Sequence, residues 1–207
     1  MRIIEQLVER ARETEHGFKD LEAAAVEVRD RASAAEAKEL AFTLLQTDLP
    51  QARCIGIFIL GMAAALDANA LQALREQARR DGDWRVQEII AKAFDRYCAD
   101  RGYEAALPVI EDWLADPSAN VRRAVTEGLR IWTGRPYFRD HPEVAVALLS
   151  QFRNEDSEYL RKSVGNALRD ISKKHPELVM RAVEEWNLDE RGTRQTHKLA
   201  TRLLRTD

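Results

Sequence analysis

The sequence predicts an all-α fold, an α-solenoid of paired helices, on three observations. The first is composition: of 207 residues, 32% are charged and 45% apolar, with only nine Gly and six Pro. A sandwich or barrel would need far more turn chemistry than that. The second is a twelve-residue segment recurring at the spacing of two-helix repeats, and the third is the helical period inside each copy. A chain of this length buries roughly 70% of its unfolded surface, so a core forms without staples.

The residues in chain order support each element. Residues 1–31 fit the repeat less well and are read as capping helices at the N-terminal end of a single domain, 1–207. About five repeats follow in 33–205. Ser33 with Glu36 forms a capping box ahead of "AKELAFTLLQ". Four segments then align: "ARCIGIFILGMA" from Ala52, "VQEIIAKAFDRY" from Val86, "VRRAVTEGLRIW" from Val121 and "LRKSVGNALRDI" from Leu160. A weaker fifth, "TRQTHKLATRLL", starts at Thr193, and the spacings are 34, 35, 39 and 33 residues. With the first residue of each as position 0, positions 0, 3, 4, 7, 8 and 11 of the middle copies are apolar or small. At 100° per residue these form one stripe, so each segment is predicted as an amphipathic helix. "YEAALPVIEDWLAD", "PEVAVALLSQF" and "PELVMRAVEEW" read as partner helices. Pro50, Pro117, Pro142 and Pro176 stand where a first helical turn tolerates proline.

Positions 2, 6 and 9 lie opposite the buried stripe, on the surface with which solenoids meet partners. They are Glu88, Lys92 and Asp95 in the second copy, and Arg123, Glu127 and Arg130 in the third. In the fourth they are Lys162, Asn166 and Arg169, and in the fifth Gln195, Leu199 and Arg202. Arg122, Arg161 and Arg194 recur at position 1. Such a ladder suits a polyanion, or it is a solvated face held by pairs such as Arg123 with Glu127. In the first copy Cys54, Phe58 and Gly61 replace the ladder, so that helix is predicted to be covered on both faces.

The net charge of −3 is unevenly spread. Residues 121–207 carry 17 Lys and Arg against 13 Asp and Glu, so the acidic excess lies in 1–120. A basic C-terminal half can meet a polyanion, although ordinary fluctuation gives the same numbers. The longest apolar run, Cys54 to Leu66, is 13 residues against the ~20 a spanning helix needs, so no membrane is expected. Acids interrupt the apolar pattern of "MRIIEQLVERARE", unlike a signal or transit peptide. Two cysteines give neither a disulfide framework nor metal spacing, which points to a reducing cytoplasm. There is no phosphate-binding loop, no His or Cys/His metal spacing and no nucleophile elbow. His141 and His175 each precede a proline where a helix begins.

The third and fourth copies carry a resemblance. "VRRAVTEGLRIW" resembles the R-R-x-x-S/T-E-G-x-R stretch of bacterial DNA alkylation repair proteins of the AlkC/AlkD type. "YLRKSVGNALRDISKKHPELV" is similar to that family's R-R/K-S-V-x-N-x-L-x-D-I-x-K-x-x-P run, and "DWRVQE" stands at the matching distance upstream. The resemblance covers about residues 50–205. It implies a right-handed solenoid of HEAT-like repeats that holds double-stranded DNA. It also implies hydrolysis of the N-glycosidic bond of cationic 3- or 7-alkylated purines, with no metal or other cofactor.

By motif match the resemblance gives Asp170, Glu127 and Asp83 the places of the acids. Read with the inner-face ladder and the i,i+4 spacing of Trp84 and Glu88, it makes Trp84, Glu88, Arg122, Arg123, Arg130, Arg161, Lys162, Asn166, Arg169, Arg194 and Arg202 the candidate lesion and DNA contacts. The chemistry is coherent. An alkylated purine leaves without a general acid, positive charge develops on the deoxyribose, and a carboxylate lowers its energy. Trp84 and Glu88, four residues apart on one helix, can face the same point. Each acid also has a plainer reading: Asp83 as an N-cap, Glu127 in an ion pair with Arg123 or Arg130, Asp170 paired with a neighbouring Lys. At this level a non-catalytic solenoid that binds a protein partner, or distorted DNA by shape, stands beside the glycosylase.

Overall fold

The computed structural model describes residues 2–204, which contain helices and turns and no strand. Met1 of the expected capping segment and Arg205 of the last expected repeat lie outside the described residues. The chain divides into two compact units, Met1–Arg101 and Gly102–Asp207.

The first unit contains α1 (Arg2–Glu13), α2 (Lys19–Arg31), α3 (Ala34–Leu45), α4 (Pro50–Ala63), α5 (Ala68–Arg80) and α6 (Trp84–Arg101). The Ser33–Glu36 capping box is present at the start of α3, with both reciprocal bonds made. Helix α4 is the hub. It packs against α1, α2, α3, α5 and α6, and every residue from Cys54 to Gly61 is buried. A helix that is apolar all round must be covered all round, as its sequence predicted. Leu66, at the end of the apolar run, lies past the helix and is exposed. Gly61 lets α4 and α6 touch, because a Cβ there would sit 2.8 Å from the Cβ of Ala93.

The second unit contains α7 (Leu107–Leu114), α8 (Ala119–Gly128), a 3-10 turn (Trp132–Gly134), α9 (Pro136–Asp140) and α10 (Pro142–Ser150). Helices α11 (Glu158–Ser172), α12 (Pro176–Glu184) and α13 (Arg191–Ala200) complete it. Here α11 is the hub, packed on α8, α10, α12 and α13. Gly165 permits α11 and α13 to approach closely: a Cβ would lie 2.6 Å from the Cβ of Leu199. Gly165→Ala is therefore expected to force α11 and α13 apart at a cost of about 1–3 kcal/mol, read as a lower urea midpoint with an unchanged slope.

All eighteen stripe residues named by the period in the second, third and fourth copies are buried, from Val86 to Ile171. Two local expectations are corrected. The segment from Val121 to Trp132 is not one helix, since α8 stops at Gly128 and the chain turns at Ile131, whose φ is 53°. A β-branched residue in the left-handed region is strained. Aromatic packing just beyond the turn holds that strain, with Trp132 and Phe138 fully buried and their ring centroids 4.8 Å apart. The longer 39-residue spacing accommodates this 3-10 turn and α9. Pro117 also lies before Ser118, the N-cap of α8, rather than in its first turn, while Pro50, Pro142 and Pro176 each occupy the first position of a helix.

Candidate functional site

In the first unit the turn before α6 is built on Asp81. Its buried carboxylate accepts bonds from Arg53 Nε at 2.7 Å, Gln77 Nε2 at 2.7 Å and the Asp83 amide at 2.9 Å. That fixes Asp83, which caps α6 by accepting the Arg85 amide at 2.8 Å and pairs with the Arg85 side chain at 3.2 Å. The helix then opens with Trp84, 61% exposed. Phe18 meets the indole edge-on at 6.2 Å, and the Arg85 guanidinium lies 5.1 Å from its ring centre. One turn along α6 stands Glu88, half-buried and in no ion pair among the described residues. Lys92, a further turn on, lies 5.1 Å over the Phe18 ring. Although packed against Phe18 and Arg85, the indole keeps most of its surface in solvent, one turn ahead of a half-buried carboxylate in no ion pair.

In the second unit the cluster centres on Asp170, of which 7% is exposed. Lys173 Nζ lies 2.8 Å away, Arg130 Nε 3.3 Å and an Arg169 nitrogen 3.4 Å. Burial pushes this carboxyl up, but the bonds from Lys173 and Arg130 and the charges of Arg169 and Lys173 outweigh it, so its pKa is below the usual aspartate value. Arg130 also reaches Glu127 at 3.6 Å, so one guanidinium joins the two acids. Thr126 and Ser163 hydroxyls, 2.6 Å apart, hold α8 to α11 beneath it.

Arg123 is corrected from a solvated position to a buried one, 7% exposed. Its guanidinium lies 4.0 Å over the Tyr159 ring and donates to the Tyr159 hydroxyl at 3.0 Å, and its Nε has no partner. It does not pair with Glu127. Of the remaining inner-face residues, Lys162 pairs with Glu158 at 2.7 Å, Asn166 is half-buried and Arg202 is exposed.

The position-1 residues share one structural task. Arg122 donates to the Asp116 carbonyl at 2.5 Å and pairs with Glu155 at 2.8 Å. Arg161 donates to the carbonyls of Glu155 and Asp156 and to the Gln195 side chain. Arg194 donates to the carbonyls of Leu188 and Asp189 at 2.6 and 2.7 Å. Arg53 does the same to Thr47 and Asp48, both at 3.0 Å, so the first copy does carry a member of this ladder. Gln87 donates to the Asp81 carbonyl at 2.7 Å. Each side chain reaches back to the loop before its helix, and Arg53, Arg122 and Arg161 also bond to a later segment. A residue at position 1 that can donate from a long side chain was the sequence signal for this role. Asp81 and Tyr159 carried no periodic signal of their own.

Among the described residues no cluster of His, Cys, Asp and Glu could hold a metal ion, and no helix is long and apolar enough to cross a membrane. The family profile described as DNA alkylation repair enzyme matches residues 17–205. The chain belongs to this family. As a member of it, the protein is similar to AlkD2 from Streptococcus mutans, with 40% identity over 99% of this chain and 100% of that one, at a TM-score of 0.93. The structure of smu.31 from Streptococcus mutans UA159 is 39% identical over 96% and 98% of the two chains, at 0.90. These neighbours share the all-α, helical-repeat class read from the sequence. A likeness of fold extends to the Pseudomonas fluorescens alkylpurine DNA glycosylase AlkC, described bound to DNA containing an abasic site analogue. There the identity is 22%, over 98% of this chain and 62% of that one, at 0.62. The uncharacterized protein YhaZ of Bacillus subtilis is 35% identical over 78 residues, a match that spans 22% of its length.

Proposed function

We propose that this DNA alkylation repair protein binds duplex DNA and releases cationic 3- or 7-alkylated purines from it by hydrolysis. Trp84 and Glu88 are its contact with the damaged nucleotide. The observation that carries this reading is the exposed indole of Trp84 one turn ahead of the half-buried, unpaired Glu88. The indole face attracts a cationic base or sugar, worth roughly 0.5–2 kcal/mol. As the C1′–N bond breaks, its electron pair leaves with the base and neutralises it. Positive charge passes to the deoxyribose, where the Glu88 carboxylate stabilises it. Water then bonds to C1′ and gives a proton to the same carboxylate. Asp83, Glu127 and Asp170 are in a weaker position for this task, because each carboxylate already faces a guanidinium or ammonium. Asp83 fits the role of setting the start of α6, and Glu127 and Asp170 fit that of orienting Arg130.

A second reading, DNA or a protein partner bound by shape without hydrolysis, is favoured by one specific observation. The acid in the run of closest resemblance, Asp170, lies within 3.4 Å of three cations. The test is incubation of the protein with duplex containing 3- or 7-methylated purine, measuring released base and duplex binding in the same samples. Release above the buffer rate supports the first reading. Binding without release supports the second, and neither, with folded protein, overturns both for DNA. We place the action in the cytoplasm, which the buried thiols of Cys54 and Cys98, joined in no disulfide, support.

A further inference from the structure

Glu88 stands on α6 at spacings that ordinarily pair a carboxylate. Arg85 precedes it by three residues and Lys92 follows it by four, and Glu ahead of Lys at i,i+4 is the favoured order on a helix. Among the described residues Glu88 pairs with neither. Arg85 is held by Asp83 at 3.2 Å and lies against the Trp84 ring. Lys92 has no carboxylate partner among the described residues. Its Nζ lies 5.1 Å from the centre of the Phe18 ring, within reach of a cation–π contact. Elsewhere in the chain such i,i+4 pairs close: Arg96 meets Asp100 at 2.6 Å and Glu158 meets Lys162 at 2.7 Å.

Phe18 comes from outside the helix. It ends the loop between α1 and α2 and follows Gly17, whose φ of 79° turns the chain. It occupies the N-cap of α2, where Ser, Thr, Asp or Asn would accept a backbone bond, and no side-chain cap bond is made. The half-buried ring meets the Trp84 indole edge-on at 6.2 Å, with the two planes at 72°, and carries the Lys92 ammonium. One ring thus reaches both residues that flank Glu88 at four positions before and four after it.

We propose that Phe18 is a positioning residue for the hydrolysis: its ring draws Lys92 off the i,i+4 salt bridge and leaves the Glu88 carboxylate uncompensated for the sugar cation. An exposed Glu–Lys pair and an exposed cation–π contact are of similar strength, so the ring can decide between them. A carboxylate that already faces an ammonium or guanidinium has less to offer a developing positive charge. That is the disadvantage of Asp83, Glu127 and Asp170 in this protein. The edge contact with Trp84 serves the same end, because it steadies the indole at the start of the same helical face. The inference rests on the reading that Trp84 and Glu88 meet the damaged nucleotide, and it adds what keeps that acid free.

The test is a mutant cycle on the full chain: wild type, Phe18→Leu, Lys92→Gln and the double variant, with Phe18→Tyr as the conservative control. Release of a 7-methylated purine from duplex is measured in single turnover at saturating protein, so that affinity drops out, and is normalised to folded protein. Lys92→Gln alone should leave the rate at the wild-type value, because Lys92 does not face Glu88 there. In Phe18→Leu the ammonium is free to pair, and a bridge of ordinary i,i+4 strength occupies the carboxylate roughly two-thirds of the time. Release should then slow about twofold to threefold, and adding Lys92→Gln should recover that factor. Phe18→Tyr keeps the ring and should match the wild type. A second readout needs no activity: the ring current of Phe18 should move the Lys92 ε-methylene NMR resonance upfield in the wild type and in Phe18→Tyr, and not in Phe18→Leu. The wild-type resonance decides even where Phe18→Leu fails to fold. An ordinary lysine resonance in the wild type, or an equal effect of Lys92→Gln in both backgrounds, overturns the role of Phe18 while leaving the Trp84–Glu88 site intact. No release by folded wild type overturns the hydrolytic reading and this role with it.

Discussion

Glu88→Gln should slow release of a 3- or 7-alkylated purine by roughly a hundredfold to a thousandfold, about 2.7–4 kcal/mol of transition-state stabilisation. Glutamine keeps the shape and hydrogen-bonding reach of the side chain and removes the charge that opposes the developing sugar cation. Because Glu88 is in no ion pair among the described residues, the fold loses no partner, and the melting temperature should stay close to that of the wild type. Affinity for the duplex should hold or rise, since one negative charge near phosphates has gone. Trp84→Ala, measured beside it, should cost the smaller 0.5–2 kcal/mol, roughly, of a cation–π contact and should weaken binding of the damaged duplex more than the undamaged one. Base release by single-turnover assay, normalised to folded protein, reads all of this. Full activity in Glu88→Gln would remove the carboxylate from the mechanism and return the role to the acids of the second unit.

The fold was legible because burial in a repeat array obeys a period, and that period survives substitution. Val86, Val121 and Leu160 stand in register with no identical neighbours required. The all-apolar α4 announced its burial in the same way. What the period could not show was which polar residue is covered by the next repeat. Arg123 occupies a solvent position on a lone helix, yet Tyr159, 36 residues later, lies over its guanidinium. Arg122 and Arg161 look like a ladder for a ligand. Their reach of five to six residues back to loop carbonyls depends on how the loop turns, which no periodicity encodes. The same holds at Ile131, where the helical pattern runs on to Trp132 but the backbone breaks after Gly128 to bury the indole. For the site, the i,i+4 spacing of Trp84 and Glu88 was visible in the sequence. The neutralisation of Asp170 was half visible, since Arg169 and Lys173 are local and Arg130 arrives from 40 residues away.

Asp170→Asn should lower stability by about 1–3 kcal/mol, an estimate set by how dry the cluster is. The carboxylate is buried and touched by three cations, and removing one partner of a buried pair leaves the others uncompensated, a cost of about 3–5 kcal/mol when all are dry. Here Arg130 and Lys173 remain partly exposed, with 41% and 56% of their side chains in water, so solvent recovers much of that. The pH dependence is set by the direction of the shift. In the folded chain the Asp170 pKa lies below its ordinary value, despite burial, because Lys173, Arg130 and Arg169 favour the charged form. The unfolded chain therefore binds the proton first as pH falls. The stabilisation is complete above the ordinary aspartate pKa of about 4 and is lost as pH drops through the lower folded value. Chemical denaturation of wild type and variant at about pH 7 and along a descending series below about pH 4 should show two curves that converge. Parallel curves would mean that the carboxylate does not carry this stability. The same variant separates positioning from chemistry near neutral pH. If Asp170 orients Arg130, base release per folded molecule should change only modestly and Glu127→Gln should behave alike, because both acids reach the same guanidinium. If Asp170 instead faces the sugar, release should fall by tens to thousands of fold at equal folded fraction, and Glu88→Gln should then be close to silent.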